Sequence, residues 1–365
     1  MFDINNHFCT NKDCKSYGLR KENNIVKAGK YTTTQGDVRQ MLKCNICGTK
    51  FSETKNTIFF NSRYSTDIIG KIISCTVEGN GVRSTGRILN LSKDGVNKVV
   101  LKAGEHAQKV LSDLLHSLHL SECQLDELWS FVQKKALSEE DLEEESGRTW
   151  IWTAIEPESR LIIYHSVGSR TLEDCRLFFD GLLSRIENKP LFVSDELPHS
   201  ESIIFENFHQ EVEFPKTGKR GRPRSPEKII DTEINYAVVH KTREGGKIIN
   251  VDKRIVFGNE ESINKCLEKT ISNTINTSYV ERSNLTFRQN DAHLQRKTLK
   301  FAKNMEYFEA KLNINILYYN FVKPHWSLSK NEDKSFTPRT PAMKAKIVKT
   351  NWTIEYVFQY PVLRA

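Results

Sequence analysis

Apolar and polar positions along this chain follow two rhythms. Between residues 65 and 102 the apolar residues recur at helical spacing. Ile68, Ile69, Ile72 and Ile73 fall on one side of a helix predicted over 65–76. Gly79-Asn80-Gly81 breaks it, and a second short helix is expected over 82–89. After the turn at Asn90-Leu91, Ser92 is a good N-cap for a third helix over 93–102. Further on, residues 125–132, 150–155 and 161–167 are short runs rich in Ile, Val, Trp and Tyr, which predicts three strands. Leu172, Cys175, Phe178, Phe179, Leu182, Leu183 and Ile186 return to helical spacing. Pro190 stops that helix, and Leu191-Phe192-Val193 opens a fourth strand. Runs over 234–241 and 247–257 flank Glu244-Gly245-Gly246, the pattern of a hairpin.

Three consecutive strands, a helix, and a strand ending in Asp195 is the order of a ribonuclease H-like sheet. The expected class is therefore α/β, a mixed sheet flanked by helices. Four zones follow: a zinc ribbon over 1–60, a helix-turn-helix over 61–115, a catalytic domain over 116–330 and a C-terminal tail over 331–365. Residues 211–265, with the hairpin, read as an insertion into the third. Glu139 to Glu145 read as a solvated acidic loop tip.

Composition narrows the setting. The 365 residues leave room for two or three domains of roughly 100–200 residues. Hydrophobic residues make up 38% and charged residues 27%, which excludes a disordered or fibrous chain. No apolar run approaches the ~18 residues of a membrane span. The first seven residues lack the basic and apolar regions of a secretory signal. A cytoplasmic protein without a membrane partner is expected. Lys and Arg number 54 against 46 Asp and Glu, a net charge of +8, which permits a polyanionic partner.

Four of the eight cysteines pair at metal-ligand spacing, Cys9-x4-Cys14 and Cys44-x2-Cys47. Two such knuckles can present four thiolates to one tetrahedral Zn²⁺, a closed and hence structural site. The competing reading is four unrelated reduced thiols. In the helical zone, two short helices joined by a tight turn match a helix-turn-helix, and the third would present Lys93, Asn97 and Lys98 to DNA. An ordinary three-helix module fits the same pattern. Lys216 to Arg224 contains Arg220, Arg222 and Arg224 in an extended Arg-Gly-Arg-Pro context suited to a narrow minor groove, or to a solvated basic loop.

Three carboxylates carry the candidate chemistry. Asp126 lies on the first strand of the third zone, Asp195 ends the fourth, and Glu281 opens a helical run in which Asn284 and Arg288 share its face. Hard divalent cations such as Mg²⁺ or Mn²⁺ want carboxylate oxygens. Two ions in one site activate the attacking oxygen and stabilise the leaving oxygen of a phosphodiester. Arg288 would hold a phosphate. Strand parity leaves open whether Asp126 or Glu127 faces the site. Glu196, Asp231 and Asp252 are rivals of Asp195.

Several segments resemble bacterial insertion-sequence transposases of the DDE type, close to the insertion-sequence-one group in its fused, single-chain form. They are the four cysteines with Gly48-Thr49-Lys50-Phe51-Ser52, Gly81-Val82-Arg83-Ser84-Thr85, Asp126-Glu127-Leu128-Trp129 and Tyr279-Val280-Glu281-Arg282-x-Asn284-x3-Arg288. The likeness continues through Arg296-Lys297-Thr298, Tyr318-Tyr319-Asn320, Lys323-Pro324-His325-Trp326 and Thr340-Pro341-Ala342-Met343, and so spans nearly the whole chain. The resemblance implies a metal-dependent DNA strand-cleaving and strand-joining enzyme acting in a prokaryotic cytoplasm at the nucleoid. Asp126, Asp195 and Glu281 would hold two Mg²⁺, and Arg288 and Asn284 would meet DNA. The partners would be double-stranded DNA, both terminal inverted repeats and target, and further copies of the chain on that DNA. A DNA-binding regulator or domesticated relative without activity is the alternative. The spacing from Asp195 to Glu281 exceeds that of compact members, a departure assigned to the 211–265 insertion.

Overall fold

The structure, a computed structural model, describes residues 3–132, 148–197, 199–213, 225–245, 247–295, 298–331 and 333–363. The acidic run at 139–145, the basic run at 216–224 with Arg220, Arg222 and Arg224, and Arg296-Lys297 lie outside the described residues. The chain forms two compact units. One joins Met1–Leu115 to Phe287–Ala365, and the other is His116–Thr286. No helix among the described residues is long and apolar enough to cross a membrane.

The first unit opens on a three-stranded antiparallel sheet of β1 (Ile25–Thr32), β2 (Val38–Cys44) and β3 (Lys50–Ser52). Helices α1 (Thr66–Val77), α2 (Val82–Leu89) and α3 (Lys93–Leu114) follow. Ser65 and Ser92 cap α1 and α3 through their side chains. Between α2 and α3 the chain turns through Asn90 at φ 54°. There a Cβ on Gly86 would lie 2.8 Å from the Leu91 carbonyl oxygen, so the turn needs glycine at that position.

Two expectations are corrected in this unit. The third helix continues past 102 to Leu114, because Val96, Val100, Ala103, Ala107, Val110 and Leu111 sustain a buried stripe at helical spacing. The stripe packs against a later helix, Met305–Phe321. The two backbones approach so closely that a Cβ on Gly104 would lie 2.3 Å from Ala310 Cα. The expected third-zone boundary at 330 therefore falls near 286, and residues 331–365 are no tail. Val357, Phe358, Tyr360 and Val362 are buried. Arg20 ties this segment to the N-terminal part, bonded to Asp113 at 2.7 Å and stacked 4.8 Å from the Tyr360 ring.

The second unit carries a six-stranded mixed sheet flanked by helices. Strands β4 (Glu122–Phe131), β5 (Arg148–Ile155) and β6 (Ile162–Gly168) form an antiparallel meander. After α4 (Leu172–Leu183), β7 (Leu191–Asp195) pairs parallel to β4 on its other side. Helix α5 (Ser200–Phe208) and a separate antiparallel pair, β8 (His209–Val212) with β9 (Glu227–Ile230), come next. Then β10 (Asn235–Glu244) pairs parallel to β7, and β11 (Lys247–Phe257) pairs antiparallel to β10 as the edge. Helices α6 (Glu260–Leu267) and α7 (Ser278–Asn290) complete the path, and α7 runs across the boundary at 286.

Here the reading of 211–265 as an insertion is corrected. Residues 235–239 are all buried, as a strand covered on both faces must be. They form a central strand of the sheet. Phe178, Phe179, Leu182, Ile203 and Ile204 cover one face over Leu125, Trp152 and Phe192. Ile263 and Leu267 cover the other over Leu191, Val193, Ala237 and Val239. Each such fully buried side chain contributes about 1.5–3 kcal/mol.

Candidate active site and metal centre

The cysteine knuckles meet in the first unit. The sulfurs of Cys9, Cys14, Cys44 and Cys47 all lie within 4.8 Å of one another. Cys9 and Cys47 approach to 3.5 Å, and Cys14 and Cys44 to 4.0 Å. A tetrahedral zinc with Zn–S near 2.3 Å requires sulfurs about 3.8 Å apart, so the donor set is compatible with one structural zinc. Gly48, at φ 75°, turns the chain directly after Cys47, and its N–H bonds Cys44 O at 2.8 Å. The Thr49 hydroxyl, 3.2 Å from Cys47 Sγ, and the Thr49 backbone pull that thiol down to about 6. Burial pushes the Cys9 thiol the other way, so its ionisation calls for a cation beside it.

In the second unit, register brings the two aspartates together. Leu125 is the partner of Ser194 across β4 and β7, so Asp126, midway along β4, stands beside Asp195 at the C-terminal end of β7. Asp195 in turn is the partner of Val239, which puts Lys241 two residues further along β10 on the same face. Such strand ends, where the order of strands reverses, are where open α/β sheets take ligands.

Glu281 comes from α7, and the buried Gln124 fastens the start of that helix to β4. Its side-chain oxygen accepts the N–H groups of Tyr279 at 3.1 Å and Val280 at 3.2 Å, while its amide donates to Glu122 at 2.8 Å. Asn284, one turn beyond Glu281, donates to Asp126 Oδ2 at 2.7 Å. The Glu127 N–H donates to Asp126 Oδ1 at 2.8 Å. Burial, then the charge of Asp195, pushes the Asp126 carboxyl up to about 7, against those two donors.

Lys241 gathers the other two carboxylates. Its ammonium donates to both Asp195 oxygens at 3.2 Å, to Thr277 Oγ1 at 3.0 Å, and to Glu281 Oε1. The Thr277 hydroxyl lies 2.6 Å from Asp195 Oδ1 and 2.8 Å from Glu281 Oε1 and can give its one proton to either. Burial lowers the Lys241 pKa, but Glu281 and Asp195 outweigh it and raise it overall.

The donor set resembles in chemistry what a hard divalent cation takes. All its ligand atoms are oxygens, and a cation, the Lys241 ammonium, already stands between two of them. Asn284 Oδ1, buried beside Asp126, has no donor among the described residues. The oxygen donors are of the type such an ion takes, but Asp126, Asp195 and Glu281 do not bring three ligand oxygens within 4.8 Å of one another. Among the described residues only the four cysteines bring three or more ligand atoms within 4.8 Å of one another.

The alternatives left by the sequence separate cleanly. Glu127 turns to the other side of β4, where Arg170 binds it at 2.6 Å while burial pushes its carboxyl up to about 7. Glu196 pairs with His240 at 2.8 Å, Asp231 with Lys189 at 2.6 Å, and Asp252 accepts from Asn250 at 2.8 Å. Asn284 was expected to touch DNA. That is corrected: it is 4% exposed, and its amide is committed to Asp126. Arg288 sits in the last turn of α7, in the segment that belongs to the first unit. Lys93 and Lys98 are exposed on α3, and Asn97 is half-buried.

No family model matches this chain, and no curated protein matches it.

Sequence reasoning missed Gln124, Thr277 and Lys241. Thr277 was detectable as a hydroxyl residue just ahead of a helical run. Lys241 was hidden by the assignment of its strand to an insertion. Gln124 left no signal, because a lone glutamine in a strand is uninformative until its partner helix is known.

Proposed function

We propose that this chain is a DDE-type transposase, with a ribonuclease H-like catalytic unit that cuts DNA strands and joins the freed 3′ ends to target DNA. The supporting observation is the convergence of Asp126, Asp195 and Glu281. Two lie on adjacent parallel strands, Asp126 midway along β4 and Asp195 at the end of β7, and the third lies on a helix pinned to β4 through Gln124. The strand arrangement also supports it, with an antiparallel meander, then two parallel strands added on the far side of β4.

Bound among these carboxylates, divalent ions would activate the attacking water or 3′-OH and stabilise the departing 3′ oxygen. The protein's own groups do the holding. Asn284 and the Glu127 N–H fix the orientation of Asp126, and Thr277 bridges Asp195 to Glu281. Lys93 and Lys98 on α3, with Arg220, Arg222, Arg224 and Arg288, would supply phosphate contacts. The four-cysteine module would stiffen the part of the chain that reads the terminal repeats. Water and the 3′-OH then act in succession at one site, without a covalent protein–DNA intermediate.

A second reading is a DNA-binding regulator that has lost catalysis. It is favoured by the wide carboxylate spacing and by the lysine set between Asp195 and Glu281. One assay separates the two. The purified chain is incubated with duplexes from both flanks of its coding sequence, a plasmid target, and Mg²⁺ or Mn²⁺. The transposase reading predicts nicks at one strand of each end and covalent end–plasmid products. Duplex binding without any nick supports the regulator.

A further inference from the structure

Lys241 is unusual for its position. Its side chain is 15% exposed, against 36% for Asp195 and 44% for Glu281, so it reaches the carboxylates from beneath rather than from solvent. It comes from β10, a central strand covered on both faces near its start, and so it is anchored by the sheet. Its ammonium satisfies three acceptor groups at once, the carboxylates of Asp195 and Glu281 and the hydroxyl of Thr277. An ordinary surface ion pair joins one long side chain to one partner and contributes little. This lysine instead neutralises two carboxylates that would otherwise repel each other at a shared place.

We propose that Lys241 is a built-in competitor of the divalent ion. In the metal-free chain it holds Asp195 and Glu281 together, and it must release them before an ion takes the same oxygens. The inference rests on the reading of those carboxylates as metal ligands and adds to it a positioning residue that sets how readily the site loads. The ammonium and the ion claim overlapping acceptors, since both Asp195 oxygens and Glu281 Oε1 already face Lys241. A carboxylate oxygen that already accepts a hydrogen bond from an N–H is less available to a cation. Two positive charges within one site also repel. Asp126, held by Asn284 and not by Lys241, is free of that competition.

The test titrates the full-length chain with Mn²⁺ alone, without DNA, following free Mn²⁺ by its paramagnetic resonance signal. Lys241→Gln keeps a hydrogen-bond donor and removes the charge, whereas Lys241→Arg keeps the charge. Competition predicts that Lys241→Gln binds Mn²⁺ at least about tenfold more tightly than the natural chain, and that Lys241→Arg stays within about threefold of it. Equal or weaker binding by a folded Lys241→Gln chain overturns the proposal and leaves the metal-ligand reading standing. If the natural chain and Lys241→Gln both fail to bind saturably, and Asp195→Asn changes nothing, the metal-ligand reading itself fails. Should Lys241→Gln not fold, the natural chain decides the matter through the ¹⁵N resonance of the Lys241 ammonium during Mg²⁺ titration. Movement to a solvent-exposed shift at saturation supports displacement, and an unmoved resonance at saturation overturns it.

Discussion

Replacing Gln124 by Met tests how the site is assembled. The side chain keeps its length and apolar bulk but loses its oxygen and its amide. Gln124 is fully buried and accepts two backbone N–H groups at the start of α7, at 3.1 and 3.2 Å. Those are groups that the helix cannot satisfy internally. A buried polar group left without its partner costs about 1–3 kcal/mol, so losing both sets an expected destabilisation of about 2–6 kcal/mol. Glu122 loses a donor as well. Urea unfolding of the natural chain and the variant reads the sum. Amide hydrogen exchange at Tyr279 and Val280 reads the helix start, where exchange should accelerate. Gln124→Glu retains an acceptor and should lose less, despite a new charge between Glu122 and Asp126. A Gln124→Met change below ~0.5 kcal/mol, with unaltered exchange at both amides, refutes the idea that this glutamine fastens the Glu281 helix to the Asp126 strand.

Elemental analysis should find one zinc per purified chain, and Cys44→Ser should lower that content and unfold the three-stranded module first. Gly104→Leu should destabilise the first unit by about 1–3 kcal/mol or more, read as a lower urea midpoint, because Ala310 backbone and not a flexible side chain opposes the added atoms. Burial raises the Glu122 pKa in the folded chain above its unfolded value. The folded state therefore prefers the protonated form, and this stabilisation is lost as pH rises through the folded pKa. Relative to Glu122→Gln, the natural chain should lose urea resistance as pH climbs from the ordinary glutamate range, and parallel pH curves would contradict that assignment.

Much of the second unit could be read from local pattern. The three meander strands, the helix after them and β7 all carry periodicity that short-range sequence expresses directly. Asp126 and Asp195 were legible because each sits on or at the end of such a strand. What failed was long-range. The run Tyr236-Ala237-Val238-Val239 looks the same whether it lies in a hairpin arm or in the middle of a sheet, and only its pairing with β7 decides. The same limit concealed the packing of Met305–Phe321 on α3, which placed residues expected in the third zone in the first unit. Asn284 shares a helix face with Glu281, but sequence could not say whether that face meets DNA or Asp126. The cysteine cluster was the most legible feature, because ligand spacing within each knuckle is a local property.

The central claim is that Asp126, Asp195 and Glu281 act together on a phosphodiester. Its most direct test compares single-turnover strand cleavage by the natural chain with Asp126→Asn, Asp195→Asn and Glu281→Gln, on duplexes carrying the flanks of the coding sequence with Mn²⁺. Zinc content and urea midpoint serve as controls for an intact fold. The account predicts cleavage by the natural chain and a loss of at least about a hundredfold in each variant, given that charge stabilisation at a reacting phosphate commonly carries that much. Cleavage that persists at the natural rate in any of the three folded variants contradicts it.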